Sequence, residues 1–476
     1  MKKIYTQSLL VLYACILFAS NSFAQLSQPA ISPQRSCPTF ELMEDAFQKD
    51  PAARTRYNSV QTMLNDIVRD RKSQGRNTTE AVYTIPVVVH VMLPAAQQAL
   101  VTDAIVLGQI DTLNYFYGAQ PVGDSLRVYE PFRTSYGRSG LSFCMAQRKP
   151  DGTATNGINR VVHTNTYTAG GTHPGSVVVW DPTKYMNIWI VVFTGGTLGY
   201  SYTPGTWAPS NFRNGFVNDY RAYGSGPGTS AGGYHYNEYN RGKTAVHEIG
   251  HFFNLSHTWG PNNNGNPGCN LSDQCADTPP TSEPYFGCPS PAEIPVLDPC
   301  SPTAPGIQWQ NHMDYADDAC MVFFTKDQCA RINASMSSPD RIGLTTSNAC
   351  QPPSGFTFGT VSPTTIACPA PATASATLST TASGGFSTPV VLTATAGVPA
   401  GTTVTFAPNP VTPGSPATVT LNNANTLSNG TYTITVTGTA GTSVQTATVS
   451  FVISSGTAPT ITGANQPQST AVCVGT

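Results

Sequence analysis

The stretch Thr244-Ala245-Val246-His247-Glu248-Ile249-Gly250-His251-Phe252-Phe253-Asn254-Leu255-Ser256-His257 holds residue types and spacings that could do chemistry. On a helix, residues four apart share a face and lie about 6 Å apart along the axis. His247 and His251 can therefore hold one metal ion, and imidazole nitrogen suits Zn²⁺. Glu248 lies beside that face. It can reach a water made acidic by the zinc and take its proton as the water attacks a carbonyl. If the helix ran on, His257 would lie about 15 Å from His247 along the axis and off the face. To join the same ion, the chain must turn sharply, and Asn254 is the residue there that best tolerates a left-handed conformation. Three protein ligands with one open position describe a catalytic zinc site. A purely structural site has no use for a base beside it.

Arg241 to Phe253 reads as the helix that carries the first two histidines. Tyr83 to Met92, Leu141 to Gln147 and Met186 to Phe193 read as strands, the last running into Gly195–Tyr200. Ala104 to Tyr117 has the helical spacing of Ile105, Leu107, Ile110, Leu113 and Phe116. Alternating strands and helices predict an α/β lobe. Before it, Glu41–Lys49 and Ala53–Arg71 also carry apolar residues at helical spacing. The aromatic-rich region from Trp207 to Tyr239 reads as a covering loop at the cleft wall. His90, on an apolar strand, reads as core, and His163, His173 and His235 carry no motif.

The chain has 24 Lys+Arg and 26 Asp+Glu, a net charge of −2, which excludes the basic footprint of a nucleic-acid binder. Every charge lies before Gln351, and that shift marks a domain boundary. Residues 1–24 read as a signal peptide: Lys2 and Lys3, an apolar run from Leu9 to Ala19, then Ser22-Phe23-Ala24. The run is too short to span about 30 Å of hydrocarbon, and no other stretch is a transmembrane candidate. Export also suits the 12 cysteines. Residues 25–79 read as a prosegment ending in the basic stretch Arg69–Arg76 and Asn77-Thr78-Thr79. Residues 80–350 form the lobe with the histidines, and 351–363 a linker. Residues 364–456 alternate Thr with apolar side chains between Gly, Pro and Asn, the pattern of an all-β immunoglobulin-like sandwich. Residues 457–476 read as the start of a further, truncated β module.

Downstream, Asn311-His312-Met313-Asp314-Tyr315 offers a Met-turn, and together with the histidine stretch it resembles the metzincin pattern. Asn311 to Met321, Gly268-Cys269, Asp277-Thr278-Pro279 and Leu198-Gly199-Tyr200 narrow the likeness. From Ile85 to Asn348 the chain resembles the pappalysin family of metzincin zinc metallopeptidases, which usually has Gly where Asn254 stands. The resemblance implies a metzincin-type lobe in which His247, His251 and His257 bind zinc and Glu248 is the general base and acid. Met313 would floor the metal site, and Tyr315 would stabilise the oxyanion. The strand ending near Leu198 would be the edge on which a peptide lies. Bridges between Cys269 and Cys300 and between Cys288 and Cys320 are implied; pairing of Cys144, Cys275, Cys329 and Cys350 stays open. Cys37, alone in the prosegment, would fill the fourth zinc position as a cysteine switch. Asp273 and Thr278 match a loop that holds structural Ca²⁺ in relatives. Relatives that favour basic residues after the scissile bond carry Asp just before the Cys that follows the Met-turn. Here that position is Ala319, so the resemblance does not extend to a basic preference.

The expected protein is a secreted zinc endopeptidase that cuts polypeptide substrates and is made as a latent zymogen. The competing reading is a non-catalytic surface or adhesion protein with a vestigial zinc lobe, in which the β-sandwich makes surface or glycan contacts. Glu248 beside three histidines argues for the enzyme. Free secretion and cell-surface association are both compatible with the sequence.

Overall fold

The computed structural model describes residues 33–75, 83–118, 124–225, 234–261, 269–367 and 370–454. The leader, Arg76 to Thr79 and the 457–476 module lie outside these residues. The chain divides into two units, Met1–Cys350 and Gln351–Thr476.

In the first unit, α1 (Thr39–Lys49) and α2 (Pro51–Ser73) form the N-terminal segment. Asp50 separates them: its carboxylate accepts from the Ala52 N–H at 3.0 Å, and Pro51 opens α2 at a position where its missing N–H costs nothing. β1 (Thr84–Leu93) is buried from its second residue to its last. Such an unbroken apolar run is what a central parallel strand requires. α3 (Asp103–Tyr117) is capped by Thr102, whose hydroxyl accepts from the Ile105 N–H at 3.3 Å. β2 (Ser142–Met145), β3 (Ile158–Val162), β4 (Met186–Val191), β5 (Gly199–Ser201) and β6 (Gly215–Asp219) complete the sheet. Its order is β2-β1-β4-β6-β5, with β3 also paired to β1. All pairs are parallel except β5 with β6, where Gly199 meets Asn218 and Ser201 meets Phe216. β5 is thus the antiparallel edge.

β6 falls inside the region expected to be a covering loop, which corrects that expectation. It is five residues long and buried on both faces. It starts at Gly215 and ends in Asn218-Asp219, so neither alternation nor a long apolar run marks it.

α4 (Lys243–Phe252) packs Val246 and Ile249 into a core shared with Val89 and Val91 of β1, Leu113 of α3 and Met313. α5 (Lys326–Ser335) adds Ile332 to the same core, and the short α6 (Ile342–Thr345) adds Leu344. Disulfides join Cys144 to Cys350, Cys269 to Cys300 and Cys288 to Cys320. Cys37, Cys275 and Cys329 are unpaired and buried. His90 is core: its ring stacks on Trp189 at 5.9 Å, and Nε2 meets Asn187 Oδ1 at 2.9 Å.

The second unit holds β7 (Gly355–Phe358), β8 (Thr364–Ala367), β9 (Thr373–Ser383), β10 (Val391–Ala396), β11 (Thr403–Ala407), β12 (Pro416–Asn422), β13 (Gly430–Ala440) and β14 (Ser443–Ser454). They form two four-stranded sheets, ordered β10-β13-β14-β8 and β11-β12-β9-β7. Leu378, Val419, Leu421, Ile434, Val449 and Phe451 share one core between them. β7 lies within the stretch expected to be a linker. Phe356 is its one fully buried anchor, too little for a periodic signal.

Candidate active site

α4 ends at a left-handed corner. Asn254 has φ 73°. Its N–H donates to His251 O at 3.0 Å, and the Leu255 N–H donates to Gly250 O at 2.9 Å. These two bonds are those of a Schellman cap, and they reverse the chain toward His257.

The three histidines converge as a result. Nε2 of His251 lies 3.2 Å from that of His247 and 3.1 Å from that of His257, and the remaining pair is 3.2 Å apart. His247 Nδ1 donates to His312 O and His251 Nδ1 to Leu255 O, both at 2.8 Å. Those bonds put the proton on Nδ1 and leave the Nε2 lone pairs facing one point. Burial lowers the basicity of all three rings, His251 to about 4. Neutral lone pairs this close cannot satisfy one another. Their separation is close to the roughly 3.3 Å expected between two nitrogens bound tetrahedrally to one zinc. The residues therefore fit a zinc ion. Cys37 Sγ completes the group, all four ligand atoms lying within 4.8 Å of one another.

Glu248 is buried, and that burial pushes its carboxyl up to about 8. The Cys37 thiol donates to Glu248 Oε2 at 3.2 Å. Burial, and next the Glu248 charge, push the Cys37 thiol up. Tyr315 Oη accepts from the Cys37 N–H at 3.0 Å, donates to Cys37 O at 3.1 Å, and lies 3.4 Å from His257 Nε2. Met313 packs against Gly250 of α4. A Cβ on Gly250 would come within 2.4 Å of Met313 Sδ, so the second-last residue of His-Glu-Ile-Gly-His must stay small. Asp314 accepts from the Tyr285 and Tyr315 N–H groups and holds the turn.

The N-terminal segment lies along β5. Leu198 N–H donates to Ser36 O at 3.3 Å, and Ser201 N–H to Thr39 Oγ1 at 3.2 Å. At one end, Arg35 reaches Asp318 at 2.6 Å, a fully buried pair. Tyr239 lies under the guanidinium at 4.7 Å, and Asp318 also accepts from the Arg241 and Lys243 N–H groups at the start of α4. An acid thus stands beside Ala319, one residue earlier in the chain. At the other end, Phe40 sets its ring edge-on to His251 and His257.

Sequence reasoning missed Arg35, Phe40 and Asp318. Arg35 was legible only as the charge two residues before Cys37. Asp273 and Thr278 do come together, but the Thr278 hydroxyl donates to both Asp273 oxygens at 2.8 Å. Among the described residues, the cluster of Cys37 with the three histidines is the one group of side chains placed to hold a metal. His173 and His235 are buried rather than solvated.

Residues 176–337 match the peptidase family described as pregnancy-associated plasma protein-A. An extracellular metalloprotease of Pyricularia oryzae is 32% identical over 259 residues, covering 53% of this chain and 80% of that one. An extracellular metalloprotease of Arthroderma otae is 31% identical over 250 residues, 52% of this chain and 76% of the other. Among solved structures, a Glu-to-Ala mutant of Tannerella forsythia promirolysin superposes with a TM-score of 0.52 at 28% identity. That match covers 66% of this chain and 97% of promirolysin.

Proposed function

The chain belongs to the pappalysin family of metallopeptidases, and from that premise we propose that it is a secreted zinc endopeptidase kept latent by its own N-terminal segment. One observation carries the reading: three Nε2 lone pairs, Glu248 and Cys37 meet at a single buried point.

Bound there, zinc would supply an acidic water and a polarised substrate carbonyl. The chain's residues do the rest. Glu248 takes the proton from the attacking water and hands it to the departing amine. The Tyr315 hydroxyl donates to the carbonyl oxygen as negative charge grows on it. β5 offers its free edge to the substrate backbone, with the Leu198 N–H among the donors. The Asp318 pocket accepts a guanidinium or ammonium from the residue after the scissile bond, as it accepts Arg35 here.

Latency follows from occupancy. Cys37 stands at the fourth ligand position of the zinc site, its thiol holds Glu248, its main chain holds Tyr315, and Arg35 fills the Asp318 pocket. Cleavage in the basic stretch, whose Arg69, Arg71 and Lys72 lie at the end of α2, would begin release. The leader and the relatives named extracellular support secretion. No helix among the described residues is long and apolar enough to cross a membrane. The two-sheet unit fits an immunoglobulin-like module for spacing or surface contact.

The test is hydrolysis of casein or gelatin by the processed chain, with the new N-termini sequenced. Hydrolysis should stop on chelation, return with zinc, and release products that begin with Arg or Lys. No hydrolysis by folded, zinc-loaded, processed protein would overturn the reading.

A further inference from the structure

One hydrophobic cluster of the first unit is closed by the N-terminal segment. Phe40, Met43 and Phe47 lie in it against Tyr167, Phe193, Tyr200 and Tyr202. Trp207 packs half-buried at its side, with its ring at 5.5 Å from that of Tyr202. The neighbouring loop is shaped to receive the segment. Gly205 has φ 87°, and a Cβ there would meet Val60 at 2.9 Å. Arg56 donates to the carbonyl oxygens of Gly205 and Thr206 at 3.1 and 2.7 Å. If the segment leaves on maturation, this aromatic face opens to water, and it is continuous with the edge strand β5.

Its place along the cleft is fixed by two landmarks. Gly199 marks the reacting bond, because a Cβ there would lie 2.9 Å from Glu248 Cγ. The Asp318 pocket lies toward the Leu198 end of the strand, where Ser36 and Arg35 are bound. Tyr202 lies three residues beyond Gly199 in the opposite direction. A chain paired with the edge advances one residue, about 3.3 Å, per strand residue. With a basic residue after the scissile bond in the Asp318 pocket, the aromatic face meets the substrate on the N-terminal side of that bond.

We propose that this face is a second substrate subsite of the processed enzyme. It takes a bulky apolar side chain, aromatic or methionine, about three to five residues before the scissile bond. The occupant's chemistry is read from what sits there now: Phe40, Met43 and Phe47 fill the face and are only 5%, 2% and 6% exposed. An aromatic surface of this kind, left open beside a cleft, is a binding surface rather than ordinary solvent-facing chain. The proposal rests on the endopeptidase and latency readings above. It adds a preference that the zinc site and the Asp318 pocket do not supply.

The test uses the full chain after processing of its N-terminal segment. A peptide with Arg after the scissile bond is varied to Phe, Met, Ser or Glu at the third, fourth and fifth residues before it, and kcat/KM is compared. Phe or Met at one of these positions should exceed Ser by roughly tenfold, chiefly through KM. Trp207→Ala and Tyr202→Ala should bring that ratio toward one. The peptide series on the unaltered enzyme stands even if a variant fails to fold. Equal rates across the series, with casein cut normally, overturn the subsite and leave the endopeptidase reading intact. Failure to cut either casein or any peptide overturns both. Residues 33–75 still bound to fully active processed enzyme, or a processed dimer that buries Trp207, would also overturn the subsite, because the face would then belong to another occupant.

Discussion

The side-chain amide of Gln61 donates to Asn254 Oδ1 at 2.8 Å. The N-terminal segment thus grips the residue whose left-handed backbone returns the chain toward His257. Glycine would make the same corner but offer no oxygen to Gln61. Asn254→Gly should fold with little loss. Asn254→Ala should cost about 1–2 kcal/mol, because an ordinary side chain strains the left-handed region. Thermal unfolding of the two variants of the full chain checks this. An alanine variant as stable as the glycine variant would contradict it.

On the proposed reading, latency would rest on Cys37 and Arg35 together. Cys37→Ser should leave the unprocessed chain partly active on casein. Arg35→Ala leaves the Asp318 carboxylate buried and unpaired, a cost of about 3–5 kcal/mol. It should loosen the segment and speed its processing, followed by gel and mass spectrometry. Unchanged latency in the double variant would contradict this account.

On the proposed reading, Asp318 would set a preference for a basic residue after the scissile bond. In the processed enzyme, Asp318→Asn should lower kcat/KM for a peptide with Arg after the scissile bond by at least about tenfold relative to a neutral counterpart. An undiminished preference for Arg would place its recognition elsewhere.

Two buried histidines away from the metal site, His173 and His90, add to acid sensitivity. Burial holds His173 down to about 3 and His90 to about 4, whereas both lie near 6.5 when unfolded. Above pH 6.5 neither group makes stability depend on pH. As pH falls from 6.5 toward 4, the unfolded chain binds protons that the folded chain refuses. Each group then removes up to about 1.4 kcal/mol per pH unit. His173→Phe should lose stability at pH 7, since Gly175 N–H loses its acceptor, yet lose less between pH 7 and 4.5 than the parent. Urea unfolding at the two pH values measures this, and an unchanged difference would contradict it.

What the sequence could show followed from periodicity and from chemistry at fixed spacing. β1 and β4 were legible as apolar runs, and α3 and α4 from helical spacing. The grouping of His247, His251 and His257 was readable because only a turn at Asn254 could bring the third into reach. β6 was hidden because a short strand buried on both faces carries no alternation. β9 was hidden because Thr373–Ser383 buries Ala and Leu among Ser and Thr, a weak hydrophobic signal. The Arg35–Asp318 pair spans 283 residues, and no local pattern encodes so distant a contact. The aromatic face needed the fold as well, since Tyr167, Tyr202 and Trp207 carry no shared local pattern and come together only in the folded chain.

The central claim is that Glu248 is the base of a zinc peptidase. The most direct measurement compares the processed chain with its Glu248→Ala variant, each shown to be folded and to hold about one zinc, on casein. The account predicts hydrolysis by the parent and a loss of at least roughly a hundredfold in the variant, with zinc retained. A variant that keeps the parent's rate, with zinc content equal, would contradict it.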